Sequence, residues 1–299
     1  MLIGMHHTWR FTRTSVILET LIMAESPSCR VLFWLLVGLY VHLGVALLPK
    51  AVEDDLGEKS KIVGGQEVEP GSLPYMVALY MNVSGEVKFH CGGAIISPHH
   101  VLTAAHCVTG WHDNRFTAVA GAHDLAVPGA TQVSIGIAEV TVSELFYWEP
   151  NSAIPVNDIA LLRLVSPLSF GEGVDAVQLP DQDEDPVVAD HCIVSGWGAL
   201  EEGGPVTSVL HAVDIPVIDQ LYCEDSYPYL ISPTMMCAGY PTGQHDACAG
   251  DSGGPLVCGG LLQGIVSWGS GCAEPLKFGV YTRVAFFRDW VEKHNYIPV

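Results

Sequence analysis

Short apolar runs interrupted by turn residues fill the chain from Ile62 onward. The runs are "PYMVALYMNV", "GGAIIS", "HVLTAAHCV", "NDIALLRL", "HCIVSGWG", "LLQGIVSWG" and "FGVYTRV", and Gly, Pro, Asn or Asp residues stand between them. Runs of this length and spacing are typical of antiparallel strands in a sandwich or barrel. The pattern therefore predicts an all-β protein.

The last segment of the chain has a different period. In "AFFRDWVEKHNYI" the apolar or aromatic positions recur at helical intervals: Phe286 or Phe287, Trp290, Val291 and His294. This spacing predicts one C-terminal helix packed against the β-structure.

An apolar run of 18 residues, Val31 to Leu48, follows Arg30 near the start of the chain. It predicts the core of a secretory signal, with residues 1–46 removed by cleavage after Ala46. Two alternatives remain: translation that begins at Met23, and an uncleaved signal anchor at 31–48, because 18 apolar residues reach the lower limit of a membrane span. Residues 47–61, which are charged and lack apolar periodicity, then form an exposed propeptide.

The composition and charge of the chain indicate which classes of partner to expect. The chain has 299 residues, of which 49% are hydrophobic, enough for a sizeable core. Its formal charge is −20, and residues 62–299 hold 27 acidic residues against 7 Lys or Arg. Such an acidic domain is not expected to bind nucleic acid, although it attracts positively charged substrates.

Nine cysteines point to an oxidising compartment. Cys29 precedes the folded region, and the eight that follow residue 90 can form four disulfides. Zinc is the competing interpretation, but no C-x-x-C pair occurs and the spacings fit no zinc module. Disulfides in a secreted protein are therefore expected, and no metal site.

The segment "GDSGG", residues 250–254, holds a serine among glycines. Alone it fits the G-x-S-x-G nucleophile elbow of α/β-hydrolases, but the acid and histidine would then follow the serine, where only Asp289 and His294 are available. Upstream, His106 in "LTAAHC" and Asp158 in "NDIALLRL" can supply a base and the carboxylate that orients it. The order His, Asp, Ser favours this second interpretation.

Seven motifs occur in order along the chain: "IVGG", "LTAAHC", "NDIALLRL", "SGWG", "GDSGGPL", "SWGSGC" and "GVYTRV". From Ile62 to about Asn295 the sequence resembles the trypsin-like serine proteases of the chymotrypsin family. The resemblance implies a protease domain over residues 62–299, built as two antiparallel six-stranded β-barrels with a C-terminal helix. It places the active site in the cleft between the barrels.

The resemblance also assigns the catalytic groups. His106 is expected to act as general base and then general acid, Asp158 to orient it, and Ser252 to be the acylated nucleophile. The backbone N–H groups of Gly250 and Ser252 are expected to form the oxyanion hole.

Substrate recognition is implied in the same way. Asp246 corresponds to the acid at the base of the specificity pocket of trypsins, and Gly269 and Gly279 to the glycines of its walls. Ala247 stands where trypsins often have serine, so Arg is expected to be preferred over Lys, because a guanidinium can bind a carboxylate in a bidentate manner. The segment Ser267, Trp268 and Gly269 is expected to pair with the substrate backbone as an added strand.

Activation is implied by "KSKIVGGQ". Cleavage after Lys61 would free the α-amino group of Ile62, and Asp251 corresponds to the residue that pairs with this amine. The chain is therefore predicted to be made as a zymogen.

Three further expectations concern modifications and cofactors. The implied disulfides are Cys91–Cys107, Cys192–Cys258, Cys223–Cys237 and Cys248–Cys272. Asn82 begins an N-glycosylation sequon, "NVS". The stretch after Gly121 carries Asp124 as its only carboxylate, so no calcium site, and no other cofactor, is expected.

The sequence is thus interpreted as a secreted, extracellular, monomeric serine endopeptidase that hydrolyses peptide bonds after Arg or Lys through an acyl-enzyme. Its expected partners are protein or peptide substrates, an activating protease and protein protease inhibitors. One alternative is a non-catalytic homologue that acts as a binding module, which would be marked by loss of His106, Asp158 or Ser252, and none is lost. The other alternative is a regulatory protease that acts on one partner.

Overall fold

The computed structural model describes residues 64–150 and 152–295. The expected signal sequence, the propeptide, Lys61 and Ile62 lie outside the described residues. Within the described ranges the paired strands are antiparallel and the helices are few and short, so the all-β fold class is confirmed.

Six strands close the first barrel. They follow one another in space as β2, β3, β4, β9, β6 and β5, and β5 pairs again with β2. Their bounds are β2 Met76–Val83, β3 Glu86–Ser97, β4 His100–Thr103, β5 Phe116–Ala120, β6 Val133–Val142 and β9 Ala160–Leu164. Two-residue strands β7 (Tyr147–Trp148) and β8 (Pro155–Val156) form a separate hairpin just before Asp158.

The second barrel has the same number of strands, in the spatial order β11, β10, β13, β14, β15 and β12, closed by pairing of β12 with β11. Their bounds are β10 His191–Gly196, β11 His211–Ile218, β12 Met235–Ala238, β13 Pro255–Cys258, β14 Leu261–Trp268 and β15 Gly279–Arg283. A short strand, β1 (Gln66–Glu67), adds to β11. The expectation of two six-stranded barrels is therefore confirmed.

The alternation of side chains explains why these segments form barrel strands. In β11, His211, Val213, Ile215 and Val217 are buried, while the residues between them are more exposed. Because successive strand residues face opposite sides, one face of such a strand fills the barrel interior. One cluster of buried apolar side chains fills the first barrel and continues to Val257, Leu262 and Ile265 of the second, and another lies within the second barrel.

Three short α-helices complete the described fold: α1 Ala105–Val108, α2 Gln220–Ser226 and α3 Arg288–His294. The expected C-terminal helix is α3, which follows a 3-10 turn at Val284–Phe287. Phe287 and Val291 are buried against the core of the first barrel. No helix within 64–150 and 152–295 is long and apolar enough to cross a membrane.

Four disulfides join the eight cysteines that follow residue 90. Their pairs are those implied by the family resemblance: Cys91–Cys107, Cys192–Cys258, Cys223–Cys237 and Cys248–Cys272. The second links directly opposed residues of β10 and β13. Such cross-links stabilise the fold mainly by restricting the unfolded chain.

Candidate active site

His106 and Asp158 of the first barrel are in direct contact. His106 lies in α1, the single turn that follows β4, and Asp158 lies two residues before β9. The imidazole Nδ1 is 2.7 Å from Asp158 Oδ2, and the backbone N–H of His106 donates to Oδ1 at 2.8 Å. Because a carboxylate only accepts hydrogen bonds, Nδ1 carries the proton and Nε2 is left as a base.

Two hydroxyls from the second barrel hold Asp158 in place. Ser267 Oγ donates to Oδ2 at 2.6 Å, and Thr282 Oγ1 donates to the main-chain oxygen of Asp158 at 2.7 Å. The carboxylate is only 1% exposed. Its hydrogen bonds therefore replace the water that burial removes and fix its orientation.

Ser252 approaches this pair from the second barrel. Its main-chain oxygen accepts from Gly92 in β3, and the next residue, Gly253, is so close to Thr103 that a Cβ would lie 2.3 Å from the threonine Oγ1. Ser252 Oγ forms no hydrogen bond with any described residue. In substrate-free sites the bond between nucleophile and base is often long and tightens in the substrate complex.

The backbone around Ser252 leaves two donors available. In the described part of the chain, neither the N–H of Gly250 nor that of Ser252 donates a backbone hydrogen bond. Gly250 has φ +101°, and a Cβ there would lie 2.8 Å from Val206 Cγ1, so the position requires glycine. Two free N–H groups beside a serine can bind an oxygen that develops negative charge.

Asp251 has its carboxylate turned into the protein, where it is 1% exposed. It accepts hydrogen bonds from the N–H groups of Gly198 (2.8 Å) and Cys248 (2.9 Å). Burial raises the pKa of Asp251 to about 6, and the two N–H donors partly offset this effect. The buried carboxylate has no cationic partner among the described residues.

A cavity of about 320 Å³ opens beside Ser252 and ends at Asp246. Asp246 is 4% exposed; Oδ2 accepts from the N–H of Ala273 at 3.3 Å, whereas Oδ1 has no hydrogen-bond partner in the described structure. Burial, with a further contribution from the charge of Asp251, raises the pKa of Asp246 to about 7. A buried acceptor of this kind is satisfied when a cationic group enters the cavity.

The structure places the other expected substrate-binding residues along this cavity. Ala247, Ser267, Trp268, Gly269 and Gly279 all line it. A Cβ on Gly279 would lie 2.6 Å from Asp246 Oδ1, so a side chain there would block the carboxylate. Ser267 and Trp268 end β14, and the Cys248–Cys272 disulfide joins the two loops that flank the cavity.

The first described residue, Gly64, lies against the loop that carries Asp246. Its main-chain oxygen is 3.1 Å from His245 Nδ1, and a Cβ on Gly64 would overlap both His245 and the oxygen of Gln244. The start of the domain is therefore packed close to the cavity. Ile62, two residues earlier, lies outside the described residues.

Sequence reasoning missed an aromatic side chain beside His106. Trp148 is 49% exposed, and its ring centroid lies 6.4 Å from that of His106. Phe146 supports it edge-on at 5.7 Å, and pairing with Pro155 fixes the strand that carries it. The bend of the hairpin brings Trp148 here, and its sequence carries no motif for this position.

Thr282 and Tyr281 were also missed, although both belong to the motif "GVYTRV". Thr282 holds the main chain of Asp158, and the buried Tyr281 hydroxyl faces the cavity end without a hydrogen-bond partner in the described structure. Polar residues on a buried strand are the signal that could have identified them.

Two other predicted features, the glycosylation sequon and the Cys91–Cys107 disulfide, supply no catalytic group. Asn82 is exposed near the β2–β3 turn, where its Oδ1 accepts from the N–H of Gly85 at 2.9 Å. The sulfurs of Cys91 and Cys107 lie near His106, but they are joined in a disulfide and cannot act as thiolate ligands.

Comparison with known proteins agrees with this geometry. Residues 62–291 match the model of the Trypsin family. The chain is 40% identical to an anionic trypsin of Canis lupus familiaris over 250 residues, which cover 83% of this chain and 95% of the relative. It is 38% identical to a trypsin of Squalus acanthias over 246 residues (81% and 98%) and 39% identical to a vitellin-degrading protease of Bombyx mori over 244 residues (78% and 85%).

The family match covers most of the chain, and the described residues form the two closed barrels of the chymotrypsin fold, with a histidine–aspartate pair beside a serine. The chain therefore belongs to the trypsin family and is a serine endopeptidase.

Proposed function

We propose that the protein cleaves peptide bonds after Arg or Lys, with Arg preferred. The observation that supports this most directly is the buried carboxylate of Asp246, whose Oδ1 has no hydrogen-bond partner among the described residues, at the closed end of the cavity beside Ser252. A guanidinium or ammonium satisfies this acceptor. An apolar side chain would leave a buried charge unpaired, which is costly.

The proposed acylation step uses the side chains of Ser252, His106 and Asp158. Ser252 Oγ attacks the carbonyl carbon while its proton passes to Nε2 of His106, and the carbonyl π electrons move onto the oxygen. Asp158, hydrogen-bonded to Nδ1 at 2.7 Å, stabilises the imidazolium that forms. When the tetrahedral intermediate collapses, the C–N bond breaks and the amine leaves with the proton from His106.

Deacylation repeats these steps with water. His106 takes a proton from water, the hydroxide oxygen bonds to the acyl carbon, and the bond to Ser252 Oγ breaks as the serine regains its proton. In both halves the negative oxygen lies between the N–H groups of Gly250 and Ser252. Loss of one such donor typically costs about 3 to 4 kcal/mol of transition-state stabilisation.

The preference for Arg over Lys is based on Ala247, which lines the cavity next to Asp246. Its methyl group offers no hydrogen bond to a ligand. A planar guanidinium can satisfy both oxygens of a carboxylate, whereas an ammonium needs other acceptors for its remaining protons.

Activation is proposed to occur by cleavage between Lys61 and Ile62. The position of Gly64 against His245 supports this, because it brings the start of the domain close to the loop that carries Asp246 and Asp251. The new ammonium of Ile62 would pair with the buried Asp251 carboxylate. An uncleavable Lys61→Gln precursor is expected to have a low kcat/KM, and full activity in this variant would reject the mechanism.

We further infer that the enzyme is a secreted monomer and that residues 1–46 and 47–61 act as signal sequence and propeptide. The four disulfides support an oxidising compartment. Its partners are then protein substrates, an activating protease and protein protease inhibitors that occupy the same cleft.

One measurement tests the specificity directly. The activated enzyme is given peptides that differ only in Arg, Lys, Phe or Leu before the scissile bond, and kcat/KM is compared. The expected order is Arg, then Lys, then the two apolar residues. A preference for Phe or Leu would overturn the role of Asp246.

A further inference from the structure

A second carboxylate lines the cavity that ends at Asp246. Glu202 and Gly203 lie at its mouth, on the exposed surface, whereas Asp246 is 4% exposed at its closed end. The other side chains that line the cavity are uncharged. A substrate with a basic residue in the pocket would therefore meet another negative charge at the entrance.

The acidic loop, residues 199–206, is fixed over the segment that forms one wall of the cavity. The N–H of Ala199 donates to the oxygen of Ala249 at 2.7 Å, and a backbone bridge joins Ala199 to Val206 across the base of the loop. At its tip the N–H of Gly204 donates to the oxygen of Glu201 at 3.0 Å. Glu202 is therefore held near the mouth by the main chain.

None of the protein's own described cations neutralises Glu202. The described ranges contain seven Lys and Arg residues, and each is engaged elsewhere. Five form ion pairs with other carboxylates: Lys88, Arg163, Arg283, Arg288 and Lys293. Arg115 and Lys277 lie over the rings of Trp111 and Tyr227 and donate to main-chain oxygens.

We propose that Glu202 selects substrates with a second Arg or Lys in the few residues that follow the scissile bond. This inference rests on the proposed cleavage after Arg or Lys. The acyl side of the substrate would pair along Ser267–Gly269, whereas the acidic loop lies on the opposite wall, against Ala249 and the oxyanion donor Gly250. By this placement Glu202 lies on the leaving-group side, where its exposed charge attracts a cation and added salt screens the attraction.

The test uses the full activated enzyme and peptides with Arg before the scissile bond. One further Arg, or Gln in its place, is put at each of the three positions after that bond and at each of the three positions that precede the first Arg, and the Arg-to-Gln ratio of kcat/KM is measured for cleavage of the original bond. In the unmodified enzyme a ratio of about two to five is expected at one following position, the range of an exposed ion pair. It should fall to near one in Glu202→Gln and at high salt.

Glu201→Gln is the matched control, because it removes the same charge from an adjacent exposed residue that does not line the cavity. This variant should keep the full ratio. An equal fall in both variants would mean that bulk negative charge, not Glu202, attracts the cation, and the inference would be wrong. A ratio unaffected by Glu202→Gln, or a Glu202-dependent preference confined to the acyl side, would also overturn it.

Peptides with Phe in place of Arg before the scissile bond separate this inference from the proposed function. If they are cleaved as fast as the Arg peptides, the specificity assigned to Asp246 is wrong. If Arg is required and the second cation has no Glu202-dependent effect, only the inference fails.

Discussion

The carboxylates of Asp246 and Asp251 are buried on one loop, close enough for the charge of Asp251 to raise the pKa of Asp246. Cys248 lies between them and fixes the loop through its disulfide to Cys272. Neither carboxylate has a cationic partner among the described residues. In the proposed function each binds a different cation: Asp246 binds the basic side chain of the substrate, and Asp251 binds the ammonium group of Ile62.

Replacing Asp246 by Asn should abolish selection of basic residues. Arg peptides would then meet a neutral amide in a buried site, and kcat/KM should fall by about 30-fold to 5000-fold, as when one member of a buried charge pair is lost. Steady-state kinetics with Arg and Leu peptides measures the change. Asp225→Asn, at an exposed position of α2, should leave both values unchanged.

Selectivity for Arg should also depend on pH. Because burial raises the pKa of Asp246 to about 7, the free enzyme loses the pocket charge as the pH falls below this value. The kcat/KM ratio for an Arg peptide over its neutral citrulline analogue should fall up to about tenfold per pH unit below about pH 7. Groups that titrate in both reactions, such as the catalytic base, affect both kcat/KM values equally and cancel in the ratio. A ratio that stays constant down to about pH 5 would therefore contradict the assignment of Asp246 as the group that binds Arg.

The Asp251 ion pair should be visible in the stability of two inactive Ser252→Ala proteins: one cut after Lys61, the other an uncleavable Lys61→Gln precursor. In the precursor burial raises the pKa of Asp251 to about 6, so the folded state gains a proton and stability as the pH falls. In the cut form the ammonium keeps the carboxylate charged, and this gain is absent. From about pH 7 to about pH 5, the unfolding free energy of the cut form relative to the precursor should fall by about 1.4 kcal/mol.

Urea unfolding at several pH values measures this difference. Groups such as Asp246 are present in both proteins and cancel. Parallel pH profiles of the two forms would mean that Asp251 has no amine partner.

The sequence motifs locate the parts of the site that lie within short segments. The pairing of His106 with Asp158 and the position of Asp246 follow from "LTAAHC", "NDIALLRL" and "HDAC" by family resemblance, and the strand pattern alone predicts the all-β class. The C-terminal helix was also predicted, although the regular α-helix begins only at Arg288 because a 3-10 turn precedes it.

The positions of Trp148 and Glu202 could not be predicted from the sequence. Trp148 lies in the two-residue strand β7 and Glu202 lies in a loop, and neither segment has apolar periodicity. Long-range main-chain contacts place them: the pair Trp148–Pro155 and the hydrogen bond from Ala199 to Ala249. The hydrogen bond from Ser267 to Asp158 could not be predicted from the sequence either. It depends on a register shift between β14 and β15 at Ser267, where the Oγ reaches the Asp158 carboxylate. Such irregularities depend on the assembled barrels.

His100 should make the domain sensitive to acid. It is fully buried, Nδ1 contacts Ser97 Oγ at 3.1 Å, and Nε2 has no partner in the described structure. Burial, aided by the nearby charges of His99 and Arg163 and opposed by Glu139, lowers the pKa of His100 to about 4. The unfolded chain therefore binds a proton near pH 6.5 that the folded state resists, and stability is lost as the pH falls toward about 4.

His100→Phe should remove this loss, which amounts to roughly 2 to 3 kcal/mol because one pKa unit corresponds to about 1.4 kcal/mol. The measurement is urea unfolding at neutral and acidic pH in the Ser252→Ala background. His112→Gln, at an exposed position, should keep the acid sensitivity of the parent. If His100→Phe keeps it as well, His100 is not the group responsible.

The activated enzyme should resist autolysis. A protease binds an extended segment of its substrate in the cleft. The seven Lys and Arg residues of the described ranges form ion pairs or ring contacts, and most of them lie in strands or helices, so they are not available as extended segments.

Val187 lies in an irregular loop and is 69% exposed. Val187→Lys should therefore introduce a cleavable bond and shorten the half-life of the active enzyme about tenfold or more, since local opening there costs little free energy. Val187→Gln should leave the half-life unchanged, and mass spectrometry should find a new cut after residue 187 in the lysine variant alone. Equal half-lives would mean that the contacts of the basic residues do not explain resistance.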